Sequence, residues 1–218
     1  MRGLRDFKVP DFKFPKLKMK DMPEIDEVKV DYEALQKAQE NQKKKENKNY
    51  DATDYSTIQE VFYKSIKQYA NKEFILEKFD PKGKYTEISY EQFRKDVIGF
   101  GTALTRKLKL DKNSRVLIIS ETTYAWYVAY MTMLCGNGIA VPTDKELPDN
   151  ELENIVKRSK ADIIVYSERK ADSIKKIMEN VPDIKYFVKM YSEDSLQGKN
   201  VGMKYLIEEG RTLVENGD

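Results

Sequence analysis

Histidine is absent from this sequence of 218 residues, and cysteine occurs once. Histidine is the commonest general base and the commonest metal ligand, so its absence excludes a Ser-His-Asp or Cys-His catalytic device. A zinc site of four nitrogen and sulfur ligands cannot be formed by this chain alone. The single cysteine, Cys135, lies in an apolar run, which favours a small buried side chain over a reactive thiol.

Long apolar runs are also missing. The longest, residues 125–135, is shorter than the roughly 20 residues that a helix needs to cross a bilayer. The first twenty residues lack the apolar stretch and the cleavage site of a signal peptide. We therefore predict a cytoplasmic protein.

An excess of one charge is missing as well. The chain has 39 basic and 37 acidic side chains, a net charge of +2. Such a balance provides no general attraction to nucleic acid or to anionic lipid. We predict no nucleic-acid partner, and any charge-driven contact must come from a local cluster.

Composition changes near residue 50. Residues 1–20 carry seven Lys or Arg against two Asp, and acidic and lysine-rich blocks follow. Charge blocks with few branched apolar residues are typical of segments that do not build a core. We predict a charged, flexible arm over residues 1–50 and a folded region over residues 51–218.

The arm contains a basic and apolar stretch that suggests contact with a membrane surface. Its candidate contact residues are Phe12, Lys13, Phe14, Lys16, Leu17 and Lys18. Each lysine near an anionic surface contributes ~1 kcal/mol. Pro10, Pro15 and Pro23 argue against a regular amphipathic helix, so contact would be made by an extended segment. Two interpretations remain open: peripheral contact at the inner membrane face through residues 1–20, or a tail that is solvated or docks on a partner.

The folded region begins with local signals for helices and a hairpin. Thr57-Ile-Gln-Glu60 and Ser89-Tyr-Glu-Gln92 are capping-box patterns, which predict helix starts at both places. Residues 73–79 and 84–88 flank a turn sequence with proline and glycine, which predicts a β-hairpin.

Helix and strand patterns then alternate with short connections. Apolar runs predict strands over residues 116–119, 139–141, 162–166 and 184–188. Helical patterns lie over residues 124–135, 171–181 and 205–214. Asp149 is predicted to cap one more helix, which contains Leu152, Ile155 and Val156. This order predicts an α/β fold: a mostly parallel sheet with helices on both faces, preceded by the β-hairpin.

Glycine-rich phosphate loops are not found in the sequence. Gly99-Phe-Gly101 lies inside a predicted helix, where packing explains it better than dinucleotide binding. No loop combines Gly, Ser or Thr, and Lys in the manner of a phosphate cradle. We assign no catalytic, cofactor-binding or metal-binding residue to this chain.

One polar stretch is placed where ligands gather in such folds. Ser120, Glu121, Thr122 and Thr123 leave a buried strand at its carboxyl end and enter a helix. Ligands of open α/β sheets bind at such strand ends, so these four residues are our substrate-proximal candidates. The structural alternative is that Thr122 or Thr123 only caps the helix.

The order of these segments resembles the amino-terminal half of the adenylate-forming (AMP-binding) enzymes, and most of all bacterial long-chain fatty-acyl-CoA synthetases. Three passages carry the resemblance: residues 85–93 (YTEISYEQF), residues 115–126 (RVLIISETTYAW), and residues 133–144 (MLCGNGIAVPTD) with LPDNEL at 147–152. The first and third are similar to two core motifs of the family. The family commonly has an asparagine where this chain has Thr122-Thr123, a departure that bears on acyl specificity.

The resemblance implies a two-step reaction in the parent enzyme. A fatty acid attacks the α-phosphorus of Mg-ATP to form an acyl-adenylate, and coenzyme A then displaces AMP. The family places its phosphate loop, acidic metal ligand and mobile lysine after the region that this chain matches. The resemblance thus implies that ATP, Mg and coenzyme A are used by the parent, that the chain's main partner is the remainder of its own polypeptide, and that the chain alone is inactive. Two alternatives remain: a stand-alone binding module with the same fold, or part of another adenylate-forming enzyme such as an amino-acid adenylation domain.

Overall fold

Short connections and alternating helix and strand patterns produce a parallel sheet covered by helices. The computed structural model describes residues 54–79 and 82–217, which belong to one structural unit, Asp54–Asp218. The predicted arm of residues 1–50, with its candidate membrane-contact residues, lies outside the described residues. None of the helices in the described part is long and apolar enough to span a bilayer.

The described residues form six α-helices and seven strands. The helices are α1 Ile58–Tyr69, α2 Tyr90–Arg106, α3 Tyr124–Thr132, α4 Asp149–Ser159, α5 Ala171–Asn180 and α6 Met203–Glu215. The strands are β1 Glu73–Glu77, β2 Thr86–Ser89, β3 Arg115–Ile119, β4 Ile139–Thr143, β5 Ile163–Tyr166, β6 Tyr186–Lys189 and β7 Asn200–Gly202. A π-helical turn, Met133–Asn137, follows α3.

The two predicted helix starts and the hairpin are confirmed. The Thr57 hydroxyl accepts a hydrogen bond from the Glu60 amide at 3.1 Å, and the Ser89 hydroxyl accepts one from the Gln92 amide at 3.1 Å. Each contact satisfies a free amide of the first helical turn. Strands β1 and β2 pair antiparallel, with Leu76 opposite Glu87.

The main sheet is parallel throughout, as predicted, with the strand order β4-β3-β5-β6-β7. From β3 the chain moves outward to β4, then returns past β3 to β5 and continues in the other direction. The strand order therefore reverses between β3 and β5. In open α/β sheets such a reversal leaves a crevice at the carboxyl edge, because the helices that follow the two strands lie on opposite faces.

Alternating side chains of β3 divide the core into two layers. Val116 and Ile118 pack with apolar side chains of α2, α3 and α6, together with the hairpin. Leu117 and Ile119 pack with those of α4 and α5 on the other face. All four side chains are fully buried, as expected for a strand covered on both faces.

Some local details differ from the predictions. The helix predicted over residues 124–135 is α-helical only to Thr132 and continues as the π-helical turn, which Gly136 breaks with its φ of 101°. Asp149 does not cap α4 with its side chain; it is the first helical residue, and its carboxylate pairs instead with Lys176 of α5 at 2.6 Å. The short strand β7 was not predicted, because three residues are too few to show a period.

Candidate functional site at the carboxyl edge of the sheet

Two serines end neighbouring parallel strands at the reversal of strand order. Ser120 follows β3 and Ser167 follows β5, and each residue is buried, with 7% of its surface exposed. The Ser120 hydroxyl donates to the Glu121 carbonyl oxygen at 2.7 Å. Within the described residues, the buried Ser167 hydroxyl has no hydrogen-bond partner of regular geometry.

Glu121 and Arg169 bring opposite charges to the same edge. Their side chains approach to 3.8 Å, with Glu121 half-buried and Arg169 largely exposed. Burial acts to raise the pKa of Glu121, but its own backbone amide, the nearby Ser167 hydroxyl and the Arg169 charge outweigh this effect and lower the pKa. The carboxylate therefore stays ionised at neutral pH.

The two threonines of the predicted stretch have different surroundings. Thr122 is exposed. Thr123 is the N-cap of α3, and its hydroxyl accepts a hydrogen bond from the Trp126 amide at 3.4 Å. Thr123 therefore caps the helix, as the alternative interpretation predicted. Ser120 and Glu121 lie where a ligand bound at the strand ends would contact them.

A cavity of about 640 Å³ opens at the start of α3, on the face covered by α2, α3 and α6. This volume falls in the range of small-molecule pockets, roughly 300–1,000 Å³. Apolar side chains dominate its walls: Phe79, Ile88, Ala125, Val128, Met203 and Ile207. The polar wall includes Gln92, Asp96, Tyr124 and Arg211, and the charged residues Glu193, Lys204 and Glu208 line the cavity as well.

Asp96 is the centre of the polar wall and is 6% exposed. Its carboxylate accepts hydrogen bonds from the Tyr124 hydroxyl at 2.5 Å, from the Gln92 amide at 3.1 and 3.2 Å, and from the Arg211 guanidinium. Burial and the Asp96 charge raise the pKa of Tyr124 far above its usual value, so this phenol remains a donor at any physiological pH. These contacts satisfy the Asp96 carboxylate, whereas the buried Arg211 Nε has no hydrogen-bond partner within the described residues.

Glu77 and Tyr191 hold the start of α3 beside this cavity. One Glu77 carboxylate oxygen accepts from the Tyr124 amide at 3.0 Å and from the Tyr191 hydroxyl at 2.7 Å. The same hydroxyl accepts from the Ala125 amide at 3.3 Å, and Tyr191 has a left-handed φ of 59°. Burial, the largest influence, raises the pKa of Tyr191 to about 12. The unusual backbone conformation is thus fixed by contacts at a helix N-terminus.

Sequence reasoning missed this cluster around Asp96. A signal existed, because Asp96 lies three residues after Phe93 and next to Val97, in the inward stripe of α2. A charged residue in an apolar stripe indicates a buried partner. That partner, Arg211, lies 115 residues further on, so the sequence offers no way to choose it.

The edge residues do not fit the phosphates or the metal of Mg-ATP. Over residues 54–79 and 82–217, no three Asp, Glu, Cys or His side chains group as metal ligands. The turns after β3 and β5 carry no glycine that would let the backbone wrap a phosphate. Cys135 is half-buried, and burial raises its pKa to about 11, which argues against a nucleophilic role.

Comparisons with known proteins agree with this architecture. No curated protein matches the chain. Among solved structures, the anthranilate CoA ligase AuaEII, determined in complex with anthranoyl-AMP, matches with a TM-score of 0.60 and 19% identity. The match covers 72% of this chain and 29% of that chain, and at this identity it shows the fold alone.

A family model covers most of the folded region. The model of the AMP-binding enzymes matches residues 62–205, from α1 to the first turns of α6. This stretch includes the whole parallel sheet and the polar residues at its carboxyl edge. The chain belongs to the AMP-binding enzyme family.

Proposed function

We propose that the chain is the N-terminal scaffold portion of an ATP-dependent long-chain fatty-acid–CoA ligase. The family match over residues 62–205 is the observation that carries this proposal. The parent reaction is the formation of an acyl-adenylate followed by transfer of the acyl group to coenzyme A. The same proposal includes a cytoplasmic location.

The fatty-acid substrate is supported by sequence resemblance. Residues 85–93, 115–126, 133–144 and 147–152 resemble the fatty-acyl-CoA synthetases most closely. The anthranilate ligase acts on an aromatic acid, but a likeness at 19% identity does not select the substrate. Substrate profiling therefore decides between fatty acids, aromatic acids and amino acids.

The role of this chain in the ligase is to position groups at the sheet edge. The hydroxyls of Ser120 and Ser167 and the ionised carboxylate of Glu121 lie at the reversal of strand order, where substrates of such folds bind. The chain's residues do not fit Mg-ATP, so phosphate and metal binding are assigned to the remainder of the polypeptide. We expect the isolated chain to be inactive for this reason.

An ATP–pyrophosphate exchange assay tests the proposal. The isolated chain is expected to show no exchange, whereas the protein translated from the complete coding region exchanges in the presence of long-chain fatty acids. Robust exchange by the isolated chain would overturn the scaffold assignment. Exchange stimulated only by amino acids would assign the chain to another adenylate-forming enzyme, and a stop codon directly after Asp218 would favour a stand-alone binding module.

A matched pair of variants tests the placement of the site within the complete protein. Ser120→Ala removes a buried hydroxyl at the strand end and is expected to raise KM or lower kcat. Ser159→Ala removes a hydroxyl at the end of α4, before β5 and therefore at the opposite edge of the sheet, and serves as the control. Equal activity of both variants and the unmodified enzyme would remove Ser120 from the site.

A further inference from the structure

The outer face of the β1–β2 hairpin carries exposed apolar side chains. Strand alternation turns Glu77 and Ile88 inward and Leu76, Lys78 and Tyr85 outward. Leu76 is 50% exposed and Tyr85 is 64% exposed. The Lys78 ammonium lies 5.5 Å from the centre of the Tyr85 ring, which confirms that the two share the outer face.

The hairpin is held firmly against the helical layer. Glu77 receives hydrogen bonds from the Tyr124 amide and the Tyr191 hydroxyl. Beyond it, the Phe79 ring meets the Tyr191 ring edge to face at 5.7 Å and is still 58% exposed. The exposed apolar groups therefore belong to a positioned element, and exposure of several large apolar side chains on one element indicates a contact surface.

Basic residues flank these apolar groups. Lys78, Lys82 and Lys84 lie along the end of the hairpin, and all three are exposed. The segment from residue 78 to residue 85 contains only one acid, Asp80. Aromatic side chains beside lysines are typical of surfaces that contact lipid headgroups, because the rings settle at the interface while the ammonium groups meet anionic lipids.

We propose that this hairpin docks on an anionic lipid surface, with Leu76 and Tyr85 in the interface and Lys78 and Lys84 on the headgroups. Glu87 lies on the same outer face opposite Leu76 and opposes the attraction. The inference goes beyond the ligase assignment and does not depend on it.

Co-sedimentation of the full 218-residue chain with vesicles tests the inference without ATP or coenzyme A. Binding is expected to vesicles with about one-third phosphatidylglycerol and to be much weaker to phosphatidylcholine alone. Lys78→Gln and Lys84→Gln should each lower the partition coefficient about fivefold. Glu87→Gln should raise it, and Leu76→Ser with Tyr85→Ser should lower it.

Matched controls lie on other parts of the molecule. Lys175→Gln on α5, across the sheet, and Leu196→Ser, at a side chain that is 44% exposed, should bind vesicles like the unmodified chain. Circular dichroism of each variant confirms that the fold is retained.

Two results would overturn the inference. Unchanged vesicle binding by the hairpin variants is the outcome expected if this face contacts other parts of a longer polypeptide. Loss of binding only in a Lys13→Gln, Lys16→Gln and Lys18→Gln variant would assign the lipid contact to the arm instead.

Discussion

Gly99 of α2 and Gly210 of α6 face each other at backbone distance. A β-carbon built on Gly210 would lie 1.8 Å from the Gly99 carbonyl oxygen, and one built on Gly99 would lie 2.7 Å from the Ile207 carbonyl oxygen. Helices α2 and α6 make the most extensive helix–helix contact of the described part. Gly99 therefore serves helix packing, as the sequence predicted. Its partner, Gly210, lies on a helix that no sequence motif connects with α2.

Replacement of Gly210 by alanine is expected to destabilise the fold. Alanine favours a helix by about 1 kcal/mol over glycine, but the added methyl group would displace backbone and cost about 1–3 kcal/mol or more. Urea unfolding measures the difference. Gly101→Ala is the matched control, because its methyl group meets only the Asn137 side chain and should cost less. Equal stability of the two variants would contradict this close packing.

Replacement of Asp96 by asparagine should unfold the chain at lower denaturant concentration. The change removes the buried counter-charge of the Arg211 guanidinium and leaves only the exposed Glu208, at 2.7 Å, to face it. Because Arg211 is partly exposed and keeps this partner, the cost should lie at or below the lower end of the about 3–5 kcal/mol that breaking a fully buried pair costs. Glu91→Gln, which breaks a more exposed pair with Arg94, should cost at most about 1 kcal/mol. If Asp96→Asn lowers the free energy of unfolding no more than Glu91→Gln does, the cluster around Asp96 does not stabilise the fold.

Replacement of Thr123 by alanine should weaken the start of α3. The hydroxyl caps the Trp126 amide, and removal of such a cap costs about 1 kcal/mol. Thr122→Ala, at the exposed neighbour, should leave the free energy of unfolding unchanged. Faster amide hydrogen exchange at Trp126 in the first variant alone would locate the effect, and equal exchange in both would refute the assigned cap.

Asp162 should make stability depend on pH. Burial acts to raise its pKa, but the Lys185 ammonium at 2.7 Å and the Arg115 amide at 2.8 Å outweigh this and lower the pKa below its ordinary value. A lowered folded-state pKa adds stability that is complete above the unfolded value of about 3.9 and is lost as pH falls through the folded value.

The test compares the free energy of unfolding of the unmodified chain with that of the Asp162→Asn variant, at neutral pH and at about pH 3. The unmodified chain should be the more stable at neutral pH, and the difference should shrink in acid. A difference that is independent of pH would contradict the linkage.

Local sequence signals predicted the elements because they act within a few residues. The hydroxyls of Thr57 and Ser89 accept hydrogen bonds from amides three residues ahead, and the turn signal between β1 and β2 lies within the four residues 80–83 of the sequence. The π-helical turn after α3 could not be predicted, since Asn137 folds back on the Thr132 carbonyl oxygen at 3.2 Å through a geometry that has no periodic signature.

The sequence by itself determined the α/β class, the order of strands and helices along the chain, and the position of Ser120 and Glu121 at a strand end, because periodicity and capping act at short range. Only the tertiary structure decided that Ser167 joins them, that Arg211 neutralises Asp96, and that Gly210 meets Gly99. These pairings are made by the packing of α6 against α2 and by the return of the chain from β4 to β5. Residues distant in the chain become neighbours only when the apolar faces of whole elements are buried together.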